Sequence, residues 1–404
     1  MSRIDIYYQG QHVGTLAEAR GGIYFEYDLG FIATGHELSP LNLPLGPGLR
    51  SRDRLPGMRL PGLFEDSLPD QWGERLMREW FRVQGIATYA ITPLMMLAYV
   101  GCRGMGALTY DPESRVLRTP GFVDLRELQE AAAQLEQSGT IDLNVLAEVG
   151  SSAGGARPKA LIGLVRDGGG EVLAGVGELP PSHDAWLVKL DTSHHGTAGV
   201  MEEAYALMAR AAGVEMAPSR LLETRHRSRI RRHFAAKRFD RDGGERIHHH
   251  TLAGMCHIPG CDLDYQTFLR VTRRVTHDDR EVLRAYRRAV FNVLGSNRDD
   301  QGKNHGFLYR NGEWRLSPAY DLTFCSPQQL PERGMAIRGE RRAAGRQHLL
   351  KLAESESLDR RMALGILDEV ADALAQWRKF ADQAQVPAAL AADVDLELGA
   401  LAKT

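Results

Sequence analysis

Residues 297–304, "NRDDQGKN", crowd the adjacent carboxylates Asp299 and Asp300, the lysine Lys303 and the amide Asn304 into one short stretch after an apolar run. Asp299 and Asn304 are spaced D-x-x-x-x-N. At that separation a phosphoryl-transfer loop supplies both an acceptor for a substrate hydroxyl proton and an amide oxygen for Mg2+. Lys303 adds a charge able to neutralise a transferred phosphoryl group. The same cluster also suits an N-cap or a polar turn. The next eighteen or so residues favour the chemistry: "HGFLYRNGEWRLSPAYDL" reads as a strand, an Asn311-Gly312 hairpin turn, a second strand and then Asp321. In protein kinases a catalytic loop, a short hairpin and a second metal-binding Asp come in this order, because the hairpin returns both ends of the segment to one metal site. Asp321 and Asn304 offer hard oxygens for a magnesium–nucleotide complex.

Residues able to hold that nucleotide lie upstream. In "SSAGGARPKA", residues 151–160, Gly154 and Gly155 let backbone amides approach phosphates closely, flanked by Ser152, Ala153 and Ala156 and followed by Lys159. The stretch matches neither the Walker pattern nor G-x-G-x-x-G, and an ordinary turn has the same composition. Lys189 interrupts the apolar strand "AWLVKL", where a charge needs a partner or must snorkel to water. Glu203 lies near the apolar edge of the next helix, placed either to pair with Lys189 or to stand solvated at a helix start.

Periodicity predicts the elements that must position these groups. "RIDIYYQGQHVGTLAEARGGIYFEYDLGFIATG" alternates β-rich runs with Gly-containing turns and predicts a meander of short strands. Leu68, Trp72, Leu76 and Trp80 recur every fourth residue, which predicts a helix entered through Asp66 or Ser67. Residues 126–148 read as helical. "GVMEEAYALMARAAGV" puts Val200, Ala204, Leu207, Met208 and Ala211 on one stripe, with Gly213 as the C-terminal cap. Beyond Gly243 the pattern is mainly helical apart from one hairpin. The fold class is therefore α+β, with a β-rich front and a helical rear.

Composition fits a folded protein: 404 residues, 43% hydrophobic, with 50 Lys and Arg against 52 Asp and Glu for a formal net charge of -2. Such a balance leaves no overall bias toward nucleic acid or an acidic membrane. The longest apolar run, residues 91–102, is too short to span a bilayer. Four cysteines without C-x-x-C spacing, and a start "MSRIDIYYQG" without an apolar signal core, predict a cytoplasmic protein.

The ordered motifs "LPGLFEDSLPDQWGERL", "GCRGMGAL", "GGARPKALI", "WLVKL", "EEAYALMARAAG", "KRFDRDGGERIHHHTLAG", "FNVLGSNRDDQGKNHGFL" and "WRLSPAYDL" resemble the HipA-type serine/threonine kinase toxins of bacterial toxin–antitoxin systems, over nearly the whole chain. The resemblance implies a kinase-like two-lobed fold, with ATP between the lobes. It implies an N-terminal β-rich module at 1–110, an N-lobe-like region at 111–240 and a helical C-lobe at 241–404. Asp299 would be the catalytic base, Asn304 and Asp321 the magnesium ligands, and Lys189 the phosphate-contacting lysine. The backbone around Phe239 would form the adenine hinge. Ser152 would be autophosphorylated, with Ser151 a neighbouring candidate. A phosphate there is repelled by those of ATP, which switches the kinase off. The implied partners are a protein substrate, such as an aminoacyl-tRNA synthetase, and a small helix-turn-helix antitoxin of HipB type that mediates contact with DNA.

Two positions depart from the family pattern: Gln301 stands where His is common, and Lys237 precedes the hinge where some relatives are acidic. A small-molecule phosphotransferase and a non-catalytic kinase-like corepressor are the competing functions. The arginine-rich stretch 223–234 lacks interleaved aromatics and reads as a solvated hairpin. The run His248-His249-His250 lacks spaced acidic or cysteine partners and reads as strand rather than metal site.

Overall fold

The computed structural model describes residues 2–19, 21–52, 57–114, 121–138, 157–166, 172–175, 177–226 and 229–401. They divide into two compact units, residues 1–196 with 222–250 and residues 197–221 with 251–404.

The first unit opens on the expected meander. Strands β1 (Arg3–Tyr8), β2 (Gln11–Ala19), β3 (Gly22–Tyr27), β4 (Arg50–Arg52) and β5 (Leu108–Asp111) form an antiparallel sheet in the order β4-β3-β2-β1-β5. Alternation drives it, since Ile4, Ile6 and Tyr8 are buried while the residues between them are not. The helix built on Trp72 and Leu76 spans Gln71–Val83 and is capped by Asp70, whose carboxylate accepts from the Gly73 N–H at 3.1 Å. It does not begin at Asp66 or Ser67 as the spacing predicts. Pro69 disfavours helical backbone at Leu68, and residues 62–65 form a separate short turn of helix.

A second sheet of β6 (Lys159–Val165), β7 (Val172–Ala174), β8 (His183–Lys189), β9 (Ser219–His226) and β10 (Arg229–Lys237) has the order β7-β6-β8-β10-β9. The arginine-rich stretch thus forms the β9–β10 hairpin region, with Arg232 paired to Glu223 at 2.8 Å. Ile162, Leu164, Trp186 and Val188 pack with Trp72, Leu76 and the helix Leu125–Ser138 in one core.

The helix Ala198–Ala211 belongs to the second unit although it precedes β9 and β10 in the chain. Tyr205 explains why: its hydroxyl donates to the Gly295 carbonyl at 2.7 Å and its ring lies 5.7 Å from that of Trp377. Gly213, at φ +71°, ends this helix as its apolar pattern predicts. Its left-handed backbone lets the Val214 N–H reach the Ala209 carbonyl at 2.9 Å. The rest of the unit is mainly helical. Asp264, Asp278 and Asp359 cap the helices Tyr265–Thr276, Asp279–Leu294 and Arg360–Leu374 by accepting first-turn N–H groups. The hairpin of Gly306–Arg310 and Glu313–Leu316 turns at Asn311 and Gly312, both at positive φ as a two-residue turn of this kind requires. Among the described residues no helix is long and apolar enough to cross a membrane, and the four cysteines are free thiols.

Two buried histidines make the first unit acid-sensitive. The His233 Nδ1 accepts the Asp191 N–H at 2.9 Å, so its proton sits on Nε2, 2.9 Å from the Thr224 hydroxyl. Burial lowers its pKa to about 4, and burial beside His250 lowers that of His248 to about 3. Between those values and about 6.5 the unfolded chain binds protons that the folded chain does not, so stability falls as pH drops, by up to about 1.4 kcal/mol per pH unit for each histidine. Urea midpoints at pH 7.5 and 5.5 check this: the acidic midpoint is expected to be lower, and equal midpoints refute it.

Candidate active site

The helix Asp279–Leu294 leads into the loop 297–304, and buried side chains pin that loop on both sides of Asp299. Before Asp299, Arg298 is 3% exposed and donates to the carbonyls of Leu330, Pro331 and Arg342. After it, Asp300 is 1% exposed. One Asp300 oxygen accepts from the Tyr265 hydroxyl and the Arg333 guanidinium, both at 2.7 Å, and the other from the Met335 N–H at 3.3 Å. Burial raises the Asp300 carboxyl above its ordinary range while Arg333 and these donors oppose it. With Arg298 and Asp300 turned inward, Asp299 between them is exposed. Glycines allow the backing segments to approach: a Cβ on Gly334 would lie 2.5 Å from the Gln301 nitrogen, and one on Gly302 2.5 Å from Leu263 Cδ1.

Asn304 closes the loop by donating its Nδ2–H to the Asp299 carbonyl at 2.7 Å. With its nitrogen so engaged, the side-chain oxygen is the end that can ligate a hard cation. The hairpin then brings the chain back, with the Ser317 N–H on the Gly306 carbonyl at 2.9 Å. The Tyr320 hydroxyl donates to the Lys303 carbonyl at 2.8 Å, which ties Asp321's neighbour to Asn304's neighbour. Asp321 itself sits at φ +60°, a conformation Asp tolerates better than most residues. Asp299, Lys303, Asn304 and Asp321 are thus brought to one region of the second unit. Among the described residues no three His, Cys, Asp or Glu side chains gather around a metal position. A magnesium ion here would take one carboxylate and one amide oxygen from the protein and complete its shell with phosphate and water, which suits a cation that keeps much of its hydration.

The remaining expected residues are divided between the two units. Glu203, in the second unit, is buried with Arg210 at 3.7 Å; burial raises its pKa, and its Oε2 lacks a hydrogen bond among the described residues. In the first unit Lys189, on β8, holds its ammonium 5.9 Å from the Phe234 ring centroid and stands opposite Lys159 across the β6–β8 pair. Lys159 is enclosed: it is 1% exposed, with its ammonium 3.2 Å from Asp70. Phe239 is half-buried with its ring 5.5 Å from His249. Ser151, Ser152, Ala153, Gly154, Gly155 and Ala156 lie outside the described residues.

Sequence reasoning missed what holds the segment around Phe239. Asp240, 0% exposed, accepts from Arg238, Arg241 and the Gly106 N–H at 2.7 to 2.9 Å, and these charges hold its carboxyl well below the usual range. Arg238 and Arg241 also reach the Gly104 carbonyl. The motifs "GCRGMGAL" and "KRFDR" therefore form one buried knot. The histidine run is likewise structural: His248 meets the Leu38 carbonyl, and His250 bridges Asp66 at 2.6 Å and Ser39 at 3.1 Å. Ser39, His250 and Asp66 have the contact order of a hydrolase triad, but a serine 0% exposed offers no access to a substrate.

Family comparison decides the lineage. Residues 4–111 match the family model described as the HipA N-terminal domain, and residues 151–378 that of the HipA-like C-terminal domain. The chain belongs to the HipA family. Its fold is that of HipA from Shewanella oneidensis MR-1, solved as a toxin–antitoxin complex with HipB and operator DNA: TM-score 0.74 at 17% identity, over 99% of this chain and 96% of that one. The proinflammatory kinase CtkA of Helicobacter pylori aligns over 56% of this chain and 88% of its own, at TM-score 0.38 and 12% identity. No curated protein matches the sequence significantly. Within the HipA family frame, the matched C-terminal domain contains the loop 297–304 and Asp321.

Proposed function

We propose that this HipA-family chain is an ATP-dependent serine/threonine protein kinase that acts as the toxin of a toxin–antitoxin pair. The observation that carries the reading is the Asp299–Asn304 loop, tied through Lys303 and Tyr320 to the segment bearing Asp321. In the reaction a serine or threonine hydroxyl oxygen bonds to the γ-phosphorus of ATP, the bond to the β–γ bridging oxygen breaks, and ADP leaves with that electron pair. Asp299 orients the hydroxyl and accepts its proton. Lys303, exposed beside it, faces charge on the transferred group. Magnesium held by Asn304 and Asp321 would neutralise phosphate charge. Lys189 serves as the phosphate-contacting lysine, the backbone at Phe239 as the adenine hinge, and Ser152 as the autophosphorylated residue. The HipB and operator DNA in the Shewanella complex support a HipB-type antitoxin as partner, with DNA reached through it. The substrate is a protein of the translation apparatus.

The test is incubation of the purified chain with γ-labelled ATP, Mg2+ and cell lysate. Labelled protein yielding phosphoserine or phosphothreonine is the expected result. Label confined to small molecules points to a small-molecule phosphotransferase, and absence of turnover to a non-catalytic corepressor.

A further inference from the structure

We infer that Gln301 is the positioning residue of the catalytic carboxylate: its side-chain amide holds Asp299 by a hydrogen bond that does not titrate. This rests on the proposed kinase reading and adds to it a residue in the position where relatives commonly carry histidine.

The geometry is direct. The Gln301 Nε2 lies 3.1 Å from Asp299 Oδ1. An ionised carboxylate only accepts hydrogen bonds, so the amide end facing it must be the NH2 group. Gln301 is fixed on its own backbone as well. Its carbonyl accepts the Asn304 N–H at 2.8 Å, and Gly334 packs so closely behind its nitrogen that a Cβ there would sit 2.5 Å away. On the other side the amide lies against Gly260, where a Cβ would approach Gln301 Oε1 to 3.4 Å. The residue therefore has a defined backbone and a bounded space for its side chain.

A local structural role does not account for this placement. Gln301 is the N-cap of the short 3-10 turn Gly302–Asn304, yet its side chain makes no capping hydrogen bond. Glutamine is also not among the residues favoured at N-caps. Its amide is spent on Asp299, two residues back, and not on the turn it precedes. Asn304 meanwhile holds the Asp299 main-chain carbonyl. One amide thus fixes the backbone of Asp299 and the other its carboxylate plane, which is the requirement for a base that must meet a hydroxyl proton at hydrogen-bond distance.

The chemical consequence distinguishes glutamine from histidine. An imidazole in this place changes charge near neutral pH and changes the basicity of the neighbouring carboxylate with it. An amide has no proton to gain or lose near neutral pH, so its donation to Asp299 does not depend on pH.

The experiment measures initial rates of label transfer from γ-labelled ATP into total lysate protein against ATP concentration, together with melting temperatures, for wild type, Gln301→Ala and the isosteric Gln301→Glu. Gln301→Ala is expected to lower the maximal rate roughly tenfold, about 1.4 kcal/mol, with the apparent KM for ATP unchanged. Gln301→Glu replaces the donor by an acceptor that cannot hold the Asp299 carboxylate, and is expected to lower the maximal rate at least as far with the wild-type melting temperature retained. A purely structural role lowers the melting temperature along with the rate. An active wild type whose maximal rate survives Gln301→Ala or Gln301→Glu overturns this inference alone. A wild type that transfers no phosphate overturns the kinase reading and this inference with it.

Discussion

Asp299→Ala is expected to reduce phosphate transfer by roughly 10²- to 10⁴-fold, the range for removing a positioned general base, while leaving the melting temperature within about 1 °C of wild type. Asp299 is exposed, the Gln301 bond to its carboxylate lies at the surface, and the Asn304 bond is to its main-chain carbonyl, which alanine keeps. Asp321 is best tested as Asp321→Asn. Asparagine shares the tolerance of aspartate for the φ +60° backbone at this position, whereas alanine adds strain of order 1 kcal/mol. Asn removes the negative charge that would face a cation and keeps the shape, so loss of transfer with an unchanged melt isolates that charge. Either variant phosphorylating lysate protein at the wild-type rate ends the assignment.

Asp300→Ala is expected to have the opposite signature, a large loss of stability. Its carboxylate is the shared acceptor of Tyr265, Arg333 and the Met335 N–H, and both side-chain partners are buried. Removing it leaves the Arg333 guanidinium enclosed without its counter-charge. Breaking a buried pair from one side costs about 3–5 kcal/mol, which for a unit of this size corresponds to roughly 6–20 °C in melting temperature. Thermal denaturation by circular dichroism checks it, and a wild-type melt rules it out. On the proposed reading the adjacent aspartates 299 and 300 divide chemistry from structure, and the two variants read out the two roles separately.

That division shows where local pattern ceases to be informative. The loop, the Asn311-Gly312 hairpin and the position of Asp321 are legible because each depends on contacts between near neighbours: a turn type, strand alternation, a short return of the chain. The Gly213 cap is legible for the same reason. Which of two neighbouring aspartates faces inward is not, because the answer lies with Tyr265 and Arg333, 35 and 33 residues away in sequence. Asp70 illustrates the same point. The four-residue spacing predicts a helix start at Asp66 or Ser67, whereas the structure caps the helix with Asp70 and also makes it the partner of buried Lys159, 89 positions on.

By itself the amino-acid sequence determined the α+β class, the family motifs and the spacing of the groups proposed to transfer phosphate, since these depend on side-chain periodicity and backbone preference over a few residues. Only the tertiary structure decided which charges are buried and against what. It assigned Arg298 and Asp300 to hold the loop, Asp240 to knot the segment around Phe239 to Gly106, and the helix Ala198–Ala211 to the second unit. The physical reason is that a buried charge is tolerated only where donors and counter-charges from distant segments converge on it, and that convergence is a property of the packed chain.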